Sequence, residues 1–371
     1  MRVGIPKEIK DSEFRAGMVP ASVVELAHHG HQVLVQKGLG EGIGVSDADY
    51  QAAGATIVDS AVEIYASAEL IVKVKEPQAQ ECKLLKEGQV LFTYLHLAPD
   101  LPQTKALMES GVTAIAYETV RTTDGSLPLL APMSEVAGRL SVQAGAHCLE
   151  RDHGGSGILL GGVPGVDSAH VLVIGGGIVG DNAAYIAKGM GAHVTILDNS
   201  VPRLRQLDIS YGGRVNCVFS NKASIEKYAL EADLVIGAVL VAGAAAPKLL
   251  TRDIIKAMKT GSVVVDVAID QGGCIETSHP TTHSDPTFIV DGVVHYCVAN
   301  MPGVVPRTSS FGLNNATLPY VLRLADGGWR KALAEDPGFL QGLNIHAGHV
   351  CFEAVARAHG LPYTPAEKAL G

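Results

Sequence analysis

Three glycines, Gly175, Gly177 and Gly180, lie in the run AHVLVIGGGIVGDNAAYIAKGMGAHVTILDN, and no other stretch constrains the fold of this chain as strongly. An apolar β-branched run, Val171 to Ile174, precedes the glycines. A helical pattern follows, with Ala183, Ile186, Ala187 and Met190 on one side, and a second apolar run, Val194 to Leu197, ends at Asp198. Strand, glycine turn, helix, strand and terminal acid form the dinucleotide-binding arrangement. The first glycine permits the tight turn, the second lets a pyrophosphate approach the backbone, and the third lets the helix pack closely on the strand. Ile178 and Val179 open the helix, whose first N–H groups and partial positive charge suit phosphate oxygens.

Asp198 refines the expected cofactor. A carboxylate at this place accepts hydrogen bonds from ribose hydroxyls, whereas a 2′-phosphate would meet a like charge. At about 4 Å and an effective dielectric near 20 that repulsion is on the order of 4 kcal/mol per charge pair. NAD is therefore expected rather than NADP. Arg203, close behind, works the other way, since an arginine can accommodate a 2′-phosphate; its alternative is a solvated helix residue.

A chain of 371 residues exceeds the size of most single cores and implies two domains. The net charge of −9 and the lack of a basic cluster argue against nucleic acid as a partner. The longest apolar stretch, Leu234 to Ala246, is short of the roughly 20 residues that span a bilayer. The start, MRVGIPKEIK, has no signal-like apolar core. Six scattered cysteines without a C-x-x-C pair fit a reducing compartment. No membrane association and a cytoplasmic location are expected.

Apolar runs at Arg2–Ile5, Gln32–Val35, Leu70–Val74, Val90–Leu95 and Thr113–Tyr117 alternate with helical patterns at 21–29, 48–53, 61–66 and 101–110. Such alternation implies a mostly parallel sheet. A long helix is predicted over 133–151. The second α/β series follows, with strands at Val171–Ile174, Val194–Leu197, Val215–Phe219, Leu234–Val239 and Ser262–Val267, and then FIVDGVVHYCVAN, where Asp-Gly separates two apolar runs as in a hairpin. Beyond Pro306 the chain turns helical again. The expected architecture is α/β: two doubly wound, Rossmann-like domains with mostly parallel sheets, separated by a cleft and bridged by long helices near 133–151 and 308–326. Residues 1–130 and 306–371 would form a substrate domain, and 131–305 an inserted nucleotide domain.

In an open parallel sheet, ligands lie beyond the carboxyl ends of the strands. The polar residues there are Lys75 after LIVKV, His96 after VLFTYL and Glu118 after TAIAY, with Arg15 in the loop after the first strand and Asp270 after VVVDVAI. Each has a plainer role open to it: a rim ion pair for Lys75, a satisfied strand-end histidine for His96, a solvated cation for Arg15, a turn cap for Asp270 and an exposed acid for Glu118. Of these, Glu118 is the weakest candidate for a functional role. His147, His153 and His349 show no partner pattern, and without H-x-x-H or clustered acids no metal site is expected.

The segments GIPKEIKDSEFRAG, KVKEPQ, YLHLAPD, APMSEVAGRLSVQAGA, GILLGGVPGV, VDVAIDQGGCIETS, HPTTHSDPTF and HYCVANMPGVVPRTSS resemble the L-alanine dehydrogenases, and the resemblance runs the full length of the chain. The NAD-binding subunits of transhydrogenases share parts of these motifs; saccharopine dehydrogenases are more distant. The resemblance implies reversible, NAD-dependent oxidative deamination of L-alanine to pyruvate and ammonia. It implies that Arg15 and Lys75 hold the substrate carboxylate and that His96 and Asp270 handle protons. It further implies that Ser134, Ile178, Asp198, Arg203 and Ser220 contact the cofactor. Val239 and Leu240 would flank the adenosine, and Val267 with Val298, Asn300 and Met301 would line the nicotinamide side. A hexamer is implied in the same way. Two positions depart from the family pattern: His279, where arginine is usual and a cofactor contact is implied, and Asp181, where a small or hydroxyl residue is usual. A transhydrogenase-like domain, a dehydrogenase of another amino acid and a non-catalytic NAD sensor are the rival readings.

Overall fold

The computed structural model describes residues 1–239 and 246–370. The chain divides into two compact units, one of residues 1–133 and 303–371, the other of residues 134–302. Each is an α/β layer structure built on its own sheet.

In the first unit the strands β1 (Arg2–Ile5), β2 (Gln32–Gln36), β3 (Thr56–Val58), β4 (Leu70–Val72), β5 (Val90–Thr93) and β6 (Thr113–Ala116) stand in the order β6-β5-β4-β1-β2-β3. All these pairings are parallel. The sequence β1 to β3 builds outward on one side of β1, and β4 restarts on the other side. β1 and β4 therefore flank the point where the winding reverses. Two short C-terminal strands, Leu343–His346 and His349–Val350, extend the β6 edge antiparallel. The central strands are buried along their whole length, as expected where helices cover both faces.

The second unit repeats the plan with β7 (His170–Ile174), β8 (His193–Asp198), β9 (Asn216–Phe219), β10 (Leu234–Gly237), β11 (Val263–Asp266), β12 (Thr287–Val290) and β13 (Val293–Tyr296), in the order β12-β13-β11-β10-β7-β8-β9. Here the winding reverses between β7 and β10. β12 and β13 pair antiparallel through Asp291 and Gly292, both at positive φ (50° and 81°), the two-residue turn that Asp-Gly favours.

Several expectations need correction. The helix Ile178–Gly189 buries Gly180, Ala183, Ala184 and Ala187, but Met190 is exposed because it lies past the last turn as the C-cap. β3 and the two C-terminal strands were not expected. They are strands of two to four residues at the two margins of the sheet, too short to show alternation. The helical stretch that begins at Pro306 continues to Ala334, broken by non-helical backbone at Gly328. The strand expected over Leu70–Val74 stops at Val72.

Gly180 is fixed by contact. A Cβ there would stand 1.8 Å from the Gly175 carbonyl oxygen, so the helix can approach the turn only because the side chain is a hydrogen. Gly180→Ala is therefore expected to cost about 1–3 kcal/mol as an overpacking change, read as a lower urea unfolding midpoint; an unchanged midpoint would remove the third glycine from its packing role.

Candidate functional site

Arg15 lies in the loop after β1, at the winding reversal of the first sheet, and is almost wholly buried. Glu13 grips it twice: Arg15 Nε donates to Glu13 Oε1 (2.7 Å) and Nη2 to Oε2 (2.6 Å), while Nη1 points at Met133 Sδ (3.1 Å). Burial works against the charge, but the Glu13 hydrogen bonds and charge outweigh it and hold the guanidinium above its ordinary pKa. The loop is pinned from the helix Pro306–Ala334. Asn314 Oδ1 accepts from the Val19 N–H (2.8 Å), and Ser310 Oγ accepts from the Ala16 N–H (2.9 Å). Gly17 lets the loop touch the end of β4, where a Cβ would stand 2.7 Å from the Val72 carbonyl oxygen.

Lys75 follows β4 on the other side of the reversal. Its pKa is lowered by burial first and by the nearby Arg15 charge second. Its backbone is set by a buried cluster that sequence reasoning passed over. Glu8 Oε1 accepts from the N–H groups of Val74 (2.7 Å) and Lys75 (3.3 Å), and Glu8 Oε2 takes Lys73 Nζ at 2.9 Å. Lys73 Nζ also reaches Glu81 Oε1 at 3.0 Å, which in turn accepts from the Tyr65 hydroxyl (3.0 Å). Burial opposes the charge of Lys73, but the two carboxylates outweigh it and raise its pKa. Burial pushes the Glu8 carboxyl up even against the pull of Lys73, as follows when two carboxylates share one cation.

His96 follows β5 with its side chain exposed and its backbone at φ 49°, an unusual conformation for a residue with a Cβ. Glu118, the weakest of the strand-end candidates, is what holds it there. Its Oε1 accepts the His96 N–H at 2.6 Å, and both oxygens accept the Leu95 N–H at 3.2 Å. The His96 ring stacks on Tyr94, with centroids 5.8 Å apart, and the Tyr94 hydroxyl donates to the Leu129 carbonyl. Arg15 in turn lies close enough to Tyr94 to act on its ionisation. One end of the first sheet thus gathers Arg15, Lys75 and His96.

In the second unit the glycine turn lies at the winding reversal. Gly175 has φ 101°, and a Cβ on it would meet the Ala238 carbonyl and the Val239 side chain. Gly177 has open space beside it and stands at the N-cap of Ile178–Gly189, a helix start that no side chain caps. Ile178 is exposed, and Val179 lies half-buried behind it. An uncapped helix N-terminus beside an open glycine is a cradle that fits a phosphate. Asp198 ends β8; its carboxylate oxygens accept from the Gly176 N–H (2.8 Å) and the Ser200 N–H (2.7 Å), and its carbonyl accepts from the Ser220 N–H (2.9 Å).

Arg203 does not reach out as a solvated cation. Its Nε donates to the Gly176 carbonyl (2.6 Å), Nη2 to Asp181 Oδ2 (2.7 Å) and Nη1 to Gln206 Oε1 (3.3 Å). Asp181, a departure from the family pattern, is thereby accounted for as an ion-pair partner. It pairs with Arg203 and also accepts the Tyr211 hydroxyl on Oδ1 at 2.6 Å. No spacing in the sequence could show this, because partners 22 and 30 residues apart meet only through the packing of two helices.

The other expected contacts are spread along the strand ends. Val267 begins the short helical turn Val267–Gln271 after β11; Asp270, in that turn, is exposed and accepts from the Asn300 N–H at 3.3 Å. Asn300 has φ 56°, with Val298 and Met301 buried on either side of it. His279 stacks on Phe288, with centroids 3.8 Å apart. Ser134 is half-buried in the helix Ala131–Cys148. Leu240 lies outside the described residues. His147 and His153, expected to lack partners, both approach Glu150. No helix among the described residues is long and apolar enough to cross a membrane.

Comparison with known proteins agrees along the whole chain. Residues 4–137 match the family model for the alanine dehydrogenase/PNT N-terminal domain, and residues 141–353 match the model for the alanine dehydrogenase/PNT C-terminal domain. An alanine dehydrogenase of Halomonas elongata is 59% identical over 371 residues, covering 100% of both chains. A solved structure named L-alanine dehydrogenase superposes with a TM-score of 0.95 at 53% identity, covering 97% of this chain and 99% of that one. A solved transhydrogenase from Sinorhizobium meliloti superposes with a TM-score of 0.81 at 27% identity, covering 95% and 100%.

The Glu8–Lys73–Glu81 cluster makes its own prediction. Lys73→Met leaves two buried carboxylates without their cation and should cost about 3–5 kcal/mol at pH 7–8. Glu8 already sits above its ordinary value of 4.5, and in the variant protonation would relieve both acids. A carboxyl with a raised folded-state pKa stabilises below its unfolded value and loses that contribution as pH rises. The deficit should therefore shrink as pH falls toward 4.5, measured by urea unfolding across that range; a deficit independent of pH would show that lost packing, not charge, is the cause.

Proposed function

The chain belongs to the alanine dehydrogenase/PNT family, and on that premise we propose that it is an NAD-dependent L-alanine dehydrogenase. It is an oxidoreductase that uses a nicotinamide dinucleotide. The reaction is the oxidative deamination of L-alanine to pyruvate and ammonia, and its reverse. The observation that carries this reading beyond family membership is the grouping of Arg15, Lys75 and His96 at one end of the first sheet, two cations beside an exposed imidazole.

Lys75 supplies charge for the substrate carboxylate, and Arg15 supplies a planar donor already oriented by Glu13. A bound carboxylate would relieve the repulsion between the two cations. His96 is exposed and held in a fixed backbone conformation, so its imidazole is suited to take the proton that the substrate ammonium must lose. A nicotinamide dinucleotide held by Gly175, Gly177, Gly180 and Asp198 would supply the acceptor for the α-carbon hydride. His96 or Asp270 then assists water onto the resulting iminium carbon and carries protons as the carbinolamine releases ammonia. Asp270, an exposed carboxylate in the turn after β11, takes its proton-handling role from the family resemblance.

The cofactor is held by the glycine turn, the uncapped helix start and Asp198. NAD is favoured over NADP for two reasons. Asp198 would repel a 2′-phosphate, and Arg203, the cation that could accept one, is already committed to Gly176 and Asp181. The transhydrogenase reading draws on the same fold but on much lower identity. A sensor without catalysis gives no account of Arg15, Lys75 and His96 gathered at one sheet end.

Following absorbance at 340 nm with L-alanine and NAD tests the proposal directly; no signal with alanine, but signal with another amino acid, would reassign the substrate. His96→Ala should lower turnover by about 100-fold or more while NAD still binds; full turnover in that variant would exclude proton transfer by His96. Asp198→Ala should shift the NAD-to-NADP ratio of kcat/KM toward NADP by at least about tenfold, the size of losing roughly 1.4 kcal/mol of discrimination; an unchanged ratio would leave Asp198 without a part in the choice.

A further inference from the structure

His147, Glu150 and His153 are the one group of three potential metal-ligating side chains found among the described residues, with ligand atoms all within 4.8 Å of one another. They come from one short stretch of chain. His147 is in the last turn of the helix Ala131–Cys148, Glu150 follows it, and His153 ends the turn Arg151–His153, which Gly154 closes in the left-handed conformation. His147 Nδ1 lies 3.6 Å and His153 Nε2 3.8 Å from the same oxygen, Glu150 Oε2, and the two imidazole centroids are 3.8 Å apart.

These separations are too long for good hydrogen bonds. They are close, however, to the edge of a tetrahedron whose corners stand roughly 2.0–2.1 Å from a central zinc ion, an edge of about 3.3 Å. The two imidazole-to-carboxylate separations exceed that edge by a few tenths of an ångström, and no ligand-atom pair exceeds it by more than about 1.5 Å, a span that rotation of three exposed side chains closes onto one ion. All three side chains are exposed, so an ion enters without opening the fold. The charge pattern favours a cation as well. Glu150 is an anion, and the carbonyl end of an 18-residue helix adds the negative pole of its dipole.

We propose that His147, Glu150 and His153 form a surface site for a divalent transition-metal ion of the zinc class, with water in the remaining positions. Two imidazoles and one carboxylate select zinc, cobalt, nickel or copper over magnesium and calcium, which prefer oxygen donors alone. None of the three residues belongs to the cofactor or substrate set, so the site is structural. The ion clamps the last turn of the helix to the turn that follows it, where the Gly155 N–H bonds the Glu150 carbonyl (3.1 Å) and the Gly157 N–H bonds the Leu149 carbonyl (2.8 Å).

Calorimetric titration of the metal-stripped full chain with Zn²⁺, with Mg²⁺ as the comparison, tests this. One Zn²⁺ per chain is expected, with a raised Tm, and Mg²⁺ should have no such effect. His147→Ala, His153→Ala and Glu150→Gln should each weaken Zn²⁺ binding by at least about tenfold. Because the three side chains are exposed, the metal-free variants should unfold at the wild-type midpoint and keep wild-type turnover. The proposal is overturned if the wild-type chain takes up no Zn²⁺ at about millimolar concentration. It is equally overturned if His147→Ala/His153→Ala together bind Zn²⁺ with wild-type stoichiometry and affinity.

Discussion

A carboxylate shut away from water must be answered from within the fold, and in the first unit that carboxylate is Glu8. It leaves β1, crosses the winding reversal and closes on the end of β4, where it takes the Lys73 ammonium on one oxygen and two backbone N–H groups on the other. Those N–H groups belong to Val74 and Lys75. The same buried charge that must be compensated therefore also sets the backbone of Lys75. Arg15 arrives from the β1 side, with Gly17 allowing its loop to lie against β4 and with Asn314 and Ser310 fixing that loop from a helix almost 300 residues later. The two cations are thus brought to one place by groups that never need to touch a substrate.

The second unit solves a related problem with different residues. The peptide of Gly176 is held at both ends, its N–H by Asp198 and its carbonyl by Arg203. A glycine turn has the least intrinsic preference for one conformation, so this double grip supplies the rigidity that the turn cannot supply for itself. Asp181 completes it by neutralising Arg203 and accepting the Tyr211 hydroxyl. An acid that looks unfavourable beside a phosphate-binding turn is, in three dimensions, the partner of the adjacent cation.

The features legible in the sequence were local or periodic. The glycine fingerprint, the alternation of strands and helices, the Asp-Gly hairpin and the polar residues at strand ends all follow from spacings of a few residues, and they mark Arg15, Lys75, His96 and Asp198. What escaped was of two kinds. Short strands such as Thr56–Val58 and Leu343–His346 give period-two patterning no room to rise above its background. Long-range polar partnerships, Glu8 with Lys73 or Glu118 with the His96 backbone, depend on pairings across 65 and 22 residues, which no window along the chain contains. The exposed-acid alternative for Glu118 failed for that reason: its partners are backbone N–H groups, which leave no trace in residue identity.

Arg15 and Lys75, the pair proposed to hold the substrate carboxylate, carry their charge in different ways. Arg15 is buried but paired, and the Glu13 carboxylate matches its planar donors so that the pair carries little net charge. Lys75 is desolvated beside it, and both that burial and the Arg15 charge depress its pKa. An ammonium in this position gains more from an arriving carboxylate than a solvated lysine would, because the ligand replaces lost hydration and offsets the repulsion at once. The two cations are therefore not interchangeable. One has its donors fixed by Glu13, the other is a desolvated ammonium beside a second cation, and exchanging their residue types would lose both properties.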